Sequence, residues 1–75
     1  MKLKKIDLFK TILNNRSVFI GIDNELDLLL KKLPQTCSNC LYKRSEPSFN
    51  NILTNNKTSI LEKCNIIFNQ KIEIE

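Results

Sequence analysis

There is no histidine in this chain. Its absence removes the commonest general base, the Cys–His and Ser–His–acid arrangements of nucleophilic catalysis, and every His-ligated metal site. Glycine occurs once, at Gly21, so neither a Gly-rich phosphate cradle nor a dinucleotide-binding turn can be built. One glycine and two prolines also mean few sharp turns, which favours regular elements and leans towards helix. Long apolar runs are missing as well. The longest, Val18–Ile20 and Leu28–Leu30, fall far short of the roughly 20 residues that a membrane span needs. The opening MKLKKIDLFKTILNN starts as a secretory leader would, but Asp7, Lys10 and Thr11 interrupt the apolar stretch. The expectation is a soluble, membrane-free protein in a reducing compartment. Three cysteines, an odd number, agree, since a secreted disulfide framework normally pairs its thiols.

What remains is a chain of 75 residues, 41% hydrophobic and 27% charged, which suits one small globular domain. A chain this short buries only about 60% of its unfolded surface, and such domains often add a metal, a disulfide or a partner chain. The formal net charge is +4 and the pI about 9.1, which permits contact with nucleic acid or acidic protein. The charge lies in blocks. Lys2, Lys4, Lys5, Lys10 and Arg16 open the chain against Asp7 alone, Asp23, Glu25 and Asp27 follow, and Lys31, Lys32, Lys43 and Arg44 come next. Solvated faces and helix-end preferences account for such blocks without a binding stripe. The doublets Asn14–Asn15, Asn50–Asn51 and Asn55–Asn56, with abundant Ile and Lys, reflect AT-rich coding and carry no mechanism.

Leu3, Ile6, Phe9, Ile12 and Leu13 predict a helix over residues 3–14, closed by Asn14 and Asn15. The β-branched and aromatic run Ser17–Ile22 predicts a strand. Asp23 is the natural N-cap of the next helix, whose apolar face is Ile22, Leu26, Leu29, Leu30 and Leu33 and which Pro34 stops. Residues 35–46 are expected to form a cysteine loop. Pro47 then opens a short helix using Phe49, Ile52 and Leu53. Ser59 and Glu62 have capping-box spacing before a last helix bearing Ile60, Leu61, Cys64, Ile67 and Phe68. The tail Lys71–Glu75 alternates as an edge strand does. The fold class expected is a helix-dominated α+β single domain over residues 1–75, with three to four short helices and at most two short strands; an all-α arrangement is the alternative.

Cys37 and Cys40 have the spacing that offers two thiolates to a metal. Zinc wants four ligands, so the candidate set is Cys37, Cys40 and Cys64, completed by a carboxylate such as Glu46 or Glu62 or by a second subunit. A redox reading needs such a pair at a helix N-terminus after a strand, whereas here a Pro-terminated helix precedes it. The plainest reading makes Cys37 and Cys40 loop thiols and Cys64 a core residue. Asp23, Glu25 and Asp27 are explained by the helix N-terminus rather than by catalysis. Tyr42, Lys43 and Arg44 form a small candidate surface for a base and phosphates.

These features predict a non-enzymatic accessory protein that binds a protein partner or a larger assembly, with self-association as one form of it. Candidate contact residues are Leu28, which falls off the apolar face of its helix, the flank Tyr42, Lys43 and Arg44, and Ile72 and Ile74 of the tail strand. The alternative is a zinc-stabilised nucleic-acid-binding regulator built on the Cys-x-x-Cys segment and its basic flank.

Overall fold

The helix read most directly from the sequence forms as expected. In the computed structural model, which describes residues 1–33 and 37–75, α2 runs Asn24–Lys32 with Asp23 as its N-cap. The Asp23 carboxylate accepts the Glu25 and Leu26 backbone N–H groups at 2.6 and 3.3 Å, satisfying two of the donors that a helix start leaves free. Glu25 and Asp27 sit in its first turn and Lys31 and Lys32 in its last, each complementing the helix dipole. Leu26 and Leu30 are buried. Pro34, expected to end this helix, lies with residues 35 and 36 outside the described residues.

Around α2 the fold is helix-dominated α+β, about three-quarters helical, with two short parallel strands. The order is β1 (Lys2–Leu3), α1 (Lys5–Asn14), a 3-10 turn (Arg16–Phe19), α2, α3 (Ser38–Phe68) and β2 (Glu73–Ile74). The radius of gyration, 11.3 Å, matches the roughly 11 Å of a close-packed chain of this length.

Five expectations are corrected. The strand expected over Ser17–Ile22 is instead a 3-10 turn and an extended exit. Phe19 is driven fully into the core, and Gly21, at φ +86°, turns the chain towards α2 in a conformation that disfavours side chains. The cysteine loop expected over residues 35–46 is helical from Ser38, because Leu41, Ser45, Phe49 and Ile52 make one buried stripe. That stripe runs past Pro47, which therefore lies inside α3 rather than at a helix start. Tertiary burial has overridden the local preference of a residue that lacks an N–H. The capping box expected at Ser59 and Glu62 also falls inside α3. Finally, Leu3 belongs to β1, not to the first helix.

A straight helix of 31 residues would be about 46 Å long, yet the longest dimension of the molecule is 29 Å. So α3 must bend. The break is at Asn56, the one residue inside it with non-helical angles (φ −128°, ψ 23°). Its side-chain amide donates to the Ile52 carbonyl at 3.2 Å and to the Asp23 carboxylate at 3.0 Å. One side chain therefore satisfies the carbonyl beside the bend and ties the bend to the cap of α2. The two arms on either side enclose a core of Leu8, Phe9, Ile12, Phe19, Leu26, Leu41, Phe49, Ile52, Ile60 and Cys64, each almost wholly excluded from water.

After the second arm, Asn69 adopts a left-handed conformation (φ 53°, ψ 37°), the usual way to close a helix and reverse the chain. β2 then pairs in parallel with β1, Lys2 opposite Glu73 and Leu3 opposite Ile74. Of the tail Lys71–Glu75, read as an edge strand, Glu73–Ile74 forms a strand, and its partner is the start of the chain. The Ile72 N–H donates to the Asn65 side chain at 2.7 Å.

Candidate functional site

Two surfaces carry the residues singled out by sequence: the outward side of α2 and the first turns of α3. On α2, the buried residues Leu26 and Leu30 define the inner face, and helical spacing puts Leu28 on the opposite crest. Leu28 is 54% exposed. It is flanked by a groove of about 330 Å³, formed with the first arm of α3 and lined by Glu25, Leu29, Lys32 and Ile52 among others. A second groove of about 340 Å³ follows the other flank, between Arg16 and Ile20 on one side and Asp27, Leu30 and Lys31 on the other. α2 is thus a ridge between two furrows, each with an acid near the helix start and a lysine near its end.

Sequence reasoning missed Ile20, which is 69% exposed. Assigning it to a strand hid the fact that the residue after the 3-10 turn faces out. It also missed Ile66, the most exposed large apolar residue, on the second arm of α3. Arg16 holds the furrow's far wall in place, its guanidinium donating to the Leu33 carbonyl at 3.2 Å.

The cysteines are placed differently from a metal site. Cys37 and Cys40 are joined as a disulfide, while Cys64 is fully buried in α3. Among the described residues no group of three or more Cys, Asp or Glu side chains comes together as a metal would require. The zinc set of Cys37, Cys40 and Cys64 is therefore corrected. Burial in an apolar core pushes the Cys64 thiol up to about 11, which makes it an inert core residue. A disulfide is also at odds with the reducing compartment expected from the odd cysteine count.

Cys37 is the N-cap of α3, and its sulfur accepts the Cys40 backbone N–H at 3.3 Å. The Cys37 carbonyl accepts the Leu41 N–H at 2.9 Å, so the bridged residues are already held by a helical turn. A covalent loop this short constrains the unfolded chain by only about 2 kcal/mol. As a staple it is weak.

Tyr42, expected to offer a stacking face, packs its ring edge-on against Phe9 and Phe49, with centroids 5.5 and 6.1 Å apart. Burial, then the Glu46 carboxylate, raise its phenol above the ordinary 10.0. Lys43 and Arg44 are exposed on α3. Of the tail residues, Ile72 is buried in the protein's own core, which corrects its assignment as a contact residue. Ile74 is half-buried beside Lys5, Leu53 and Lys57.

No helix among the described residues is long and apolar enough to cross a membrane. Comparison of the chain with protein-family models, with curated proteins and with solved structures finds no match.

Proposed function

We propose that this protein acts by binding a protein partner through the ridge of α2. The observation that carries this reading is Leu28 exposed on the crest of α2 with a furrow of mixed apolar and charged lining on each side. A ridge between grooves suits the packing of another helix, whose side chains fill the furrows while Leu28 enters the groove opposite. The acids Glu25 and Asp27 at one end and Lys31 and Lys32 at the other favour a partner helix of the same polarity running antiparallel. The nucleic-acid alternative keeps only Lys43 and Arg44, since Tyr42 is engaged with Phe9 and Phe49.

A photo-crosslinking residue at position 28, with the exposed Asn55 as control position, tests this in extracts of the source cell. The expected result is one discrete adduct from position 28 and none from position 55. Excess unlabelled protein should suppress the adduct, and excess Leu28→Lys protein should not. An adduct of twice the chain mass would identify the partner as a second copy. Equal labelling from both positions, or competition by Leu28→Lys, would remove the ridge as the contact.

A further inference from the structure

We infer that the Cys37–Cys40 pair is a thiol–disulfide exchange site whose substrates are solvent-borne thiols and disulfides, with Cys37 as the sulfur that takes the mixed disulfide. The inference is independent of the α2 ridge. Both residues are exposed, so either sulfur is open to attack. The Cys37 sulfur stands at the N-cap of α3 and already accepts the Cys40 N–H, the arrangement that stabilises a thiolate. No carboxylate occupies the first turn of α3 to oppose it, and Lys43 and Arg44 follow in the next. Cys64 is buried away from exchange. The helix-start requirement of a redox pair is thus met, although the element before the pair is the helix α2 rather than a strand. In a chain with a free thiol in its core, a disulfide that adds little as a staple fits the transient, redox-responding kind.

The exchange balances with a dithiol as reductant. One thiolate of the dithiol attacks the Cys37 sulfur, the Cys37–Cys40 bond breaks, and Cys40 leaves as a thiolate that takes a proton from water. The second thiol, deprotonated, then attacks the reductant's own sulfur in the mixed disulfide. Cys37 leaves as a thiolate held by the Cys40 N–H and the positive end of α3. Two electrons pass from the dithiol to the pair, and the dithiol becomes a cyclic disulfide. With glutathione disulfide the same steps run in reverse, oxidising the pair and releasing two glutathione thiols.

The test reduces the full chain with dithiothreitol, removes the reductant, and follows iodoacetamide labelling at pH 7 by peptide mass spectrometry. Cys37 should label roughly tenfold faster than Cys40, and Cys64 should stay unlabelled. In urea the difference should vanish and Cys64 should react. Glutathione disulfide should restore the Cys37–Cys40 bond in the wild type and be trapped on Cys37 in Cys40→Ser, with the fold of that variant checked by circular dichroism. Equal labelling of Cys37 and Cys40 in the folded protein would overturn the inference. So would a difference that survives in urea, or failure of glutathione disulfide to reoxidise the pair.

Discussion

Asp23 and Cys37 hold the same position, the N-cap, on α2 and on α3, and the two ends are built to opposite purposes. At Asp23 both carboxylate oxygens are engaged, one by the Glu25 and Leu26 amides and the other by Asn56 from the bend of α3. That cap fixes the start of one helix and the break in another. At Cys37 a sulfur accepts a single N–H from its own first turn, and the covalent partner, Cys40, lies in that turn too. Among the described residues, its bonds all stay within that turn. A helix start wired into the rest of the molecule is part of its architecture, whereas one tied only to itself is free for chemistry at the surface.

The comparison makes its largest demand at Asp23. Asp23→Ala should lower the thermal midpoint more than any single substitution at Cys37 or Cys40, since it removes the cap and leaves the Asn56 amide without its carboxylate partner. In a double-mutant cycle with Asn56→Ala the two losses should be clearly less than additive. Additive losses would mean that the bend and the cap are separate features.

A smaller effect should appear in acid. Hydrogen bonding from Asn56, and then from the Glu25 amide, holds the Asp23 carboxyl below its ordinary value of 3.8. The stability that this contributes is complete above that value and is lost as the pH falls through the lower folded one. The margin of wild type over Asp23→Asn, followed by urea denaturation, should therefore be constant near neutrality and shrink below about pH 4. A margin that ignored pH would show that shape rather than charge matters at this cap.

The smallest effect belongs to Cys37→Ser. Serine is a good N-cap, so this variant should stay within about 0.5 kcal/mol of the reduced wild type in urea denaturation. A loss as large as that of Asp23→Ala would erase the contrast between the two helix starts.

How far the molecule could be read in advance follows the same division. α2 was legible because its cap, apolar face and end charges all point one way. The run Ile60, Cys64 and Ile67 was legible as a helix face for the same reason. The helix using Phe49, Ile52 and Leu53 was legible, but the start of the first arm of α3 was hidden by two residues. Ser45 interrupts the apolar stripe that Leu41, Phe49 and Ile52 otherwise display, and Pro47 imitates a helix start. The segment Ser17–Ile22 is apolar because Phe19 fills the core, which local preference cannot tell from a strand. Of the exposed apolar residues, Leu28 was readable from its angular position on α2. Ile20 was not, since its exposure depends on the turn before it, and Ile72 was misplaced because the chain buries it in its own core just before β2 begins.

The pairing of β1 with β2 has a consequence for the order of events in folding. The helices also meet across long stretches of chain, as Phe9 does with Phe49, but this ribbon reaches furthest, joining residue 2 to residue 73. Bringing such distant segments together from an open chain costs on the order of 4 kcal/mol of loop-closure entropy, more than two paired residues on each side return. The ribbon is therefore a latch. It closes once α1 and the two arms of α3 have delivered their ends to the same place, and it is the first element to open when they loosen.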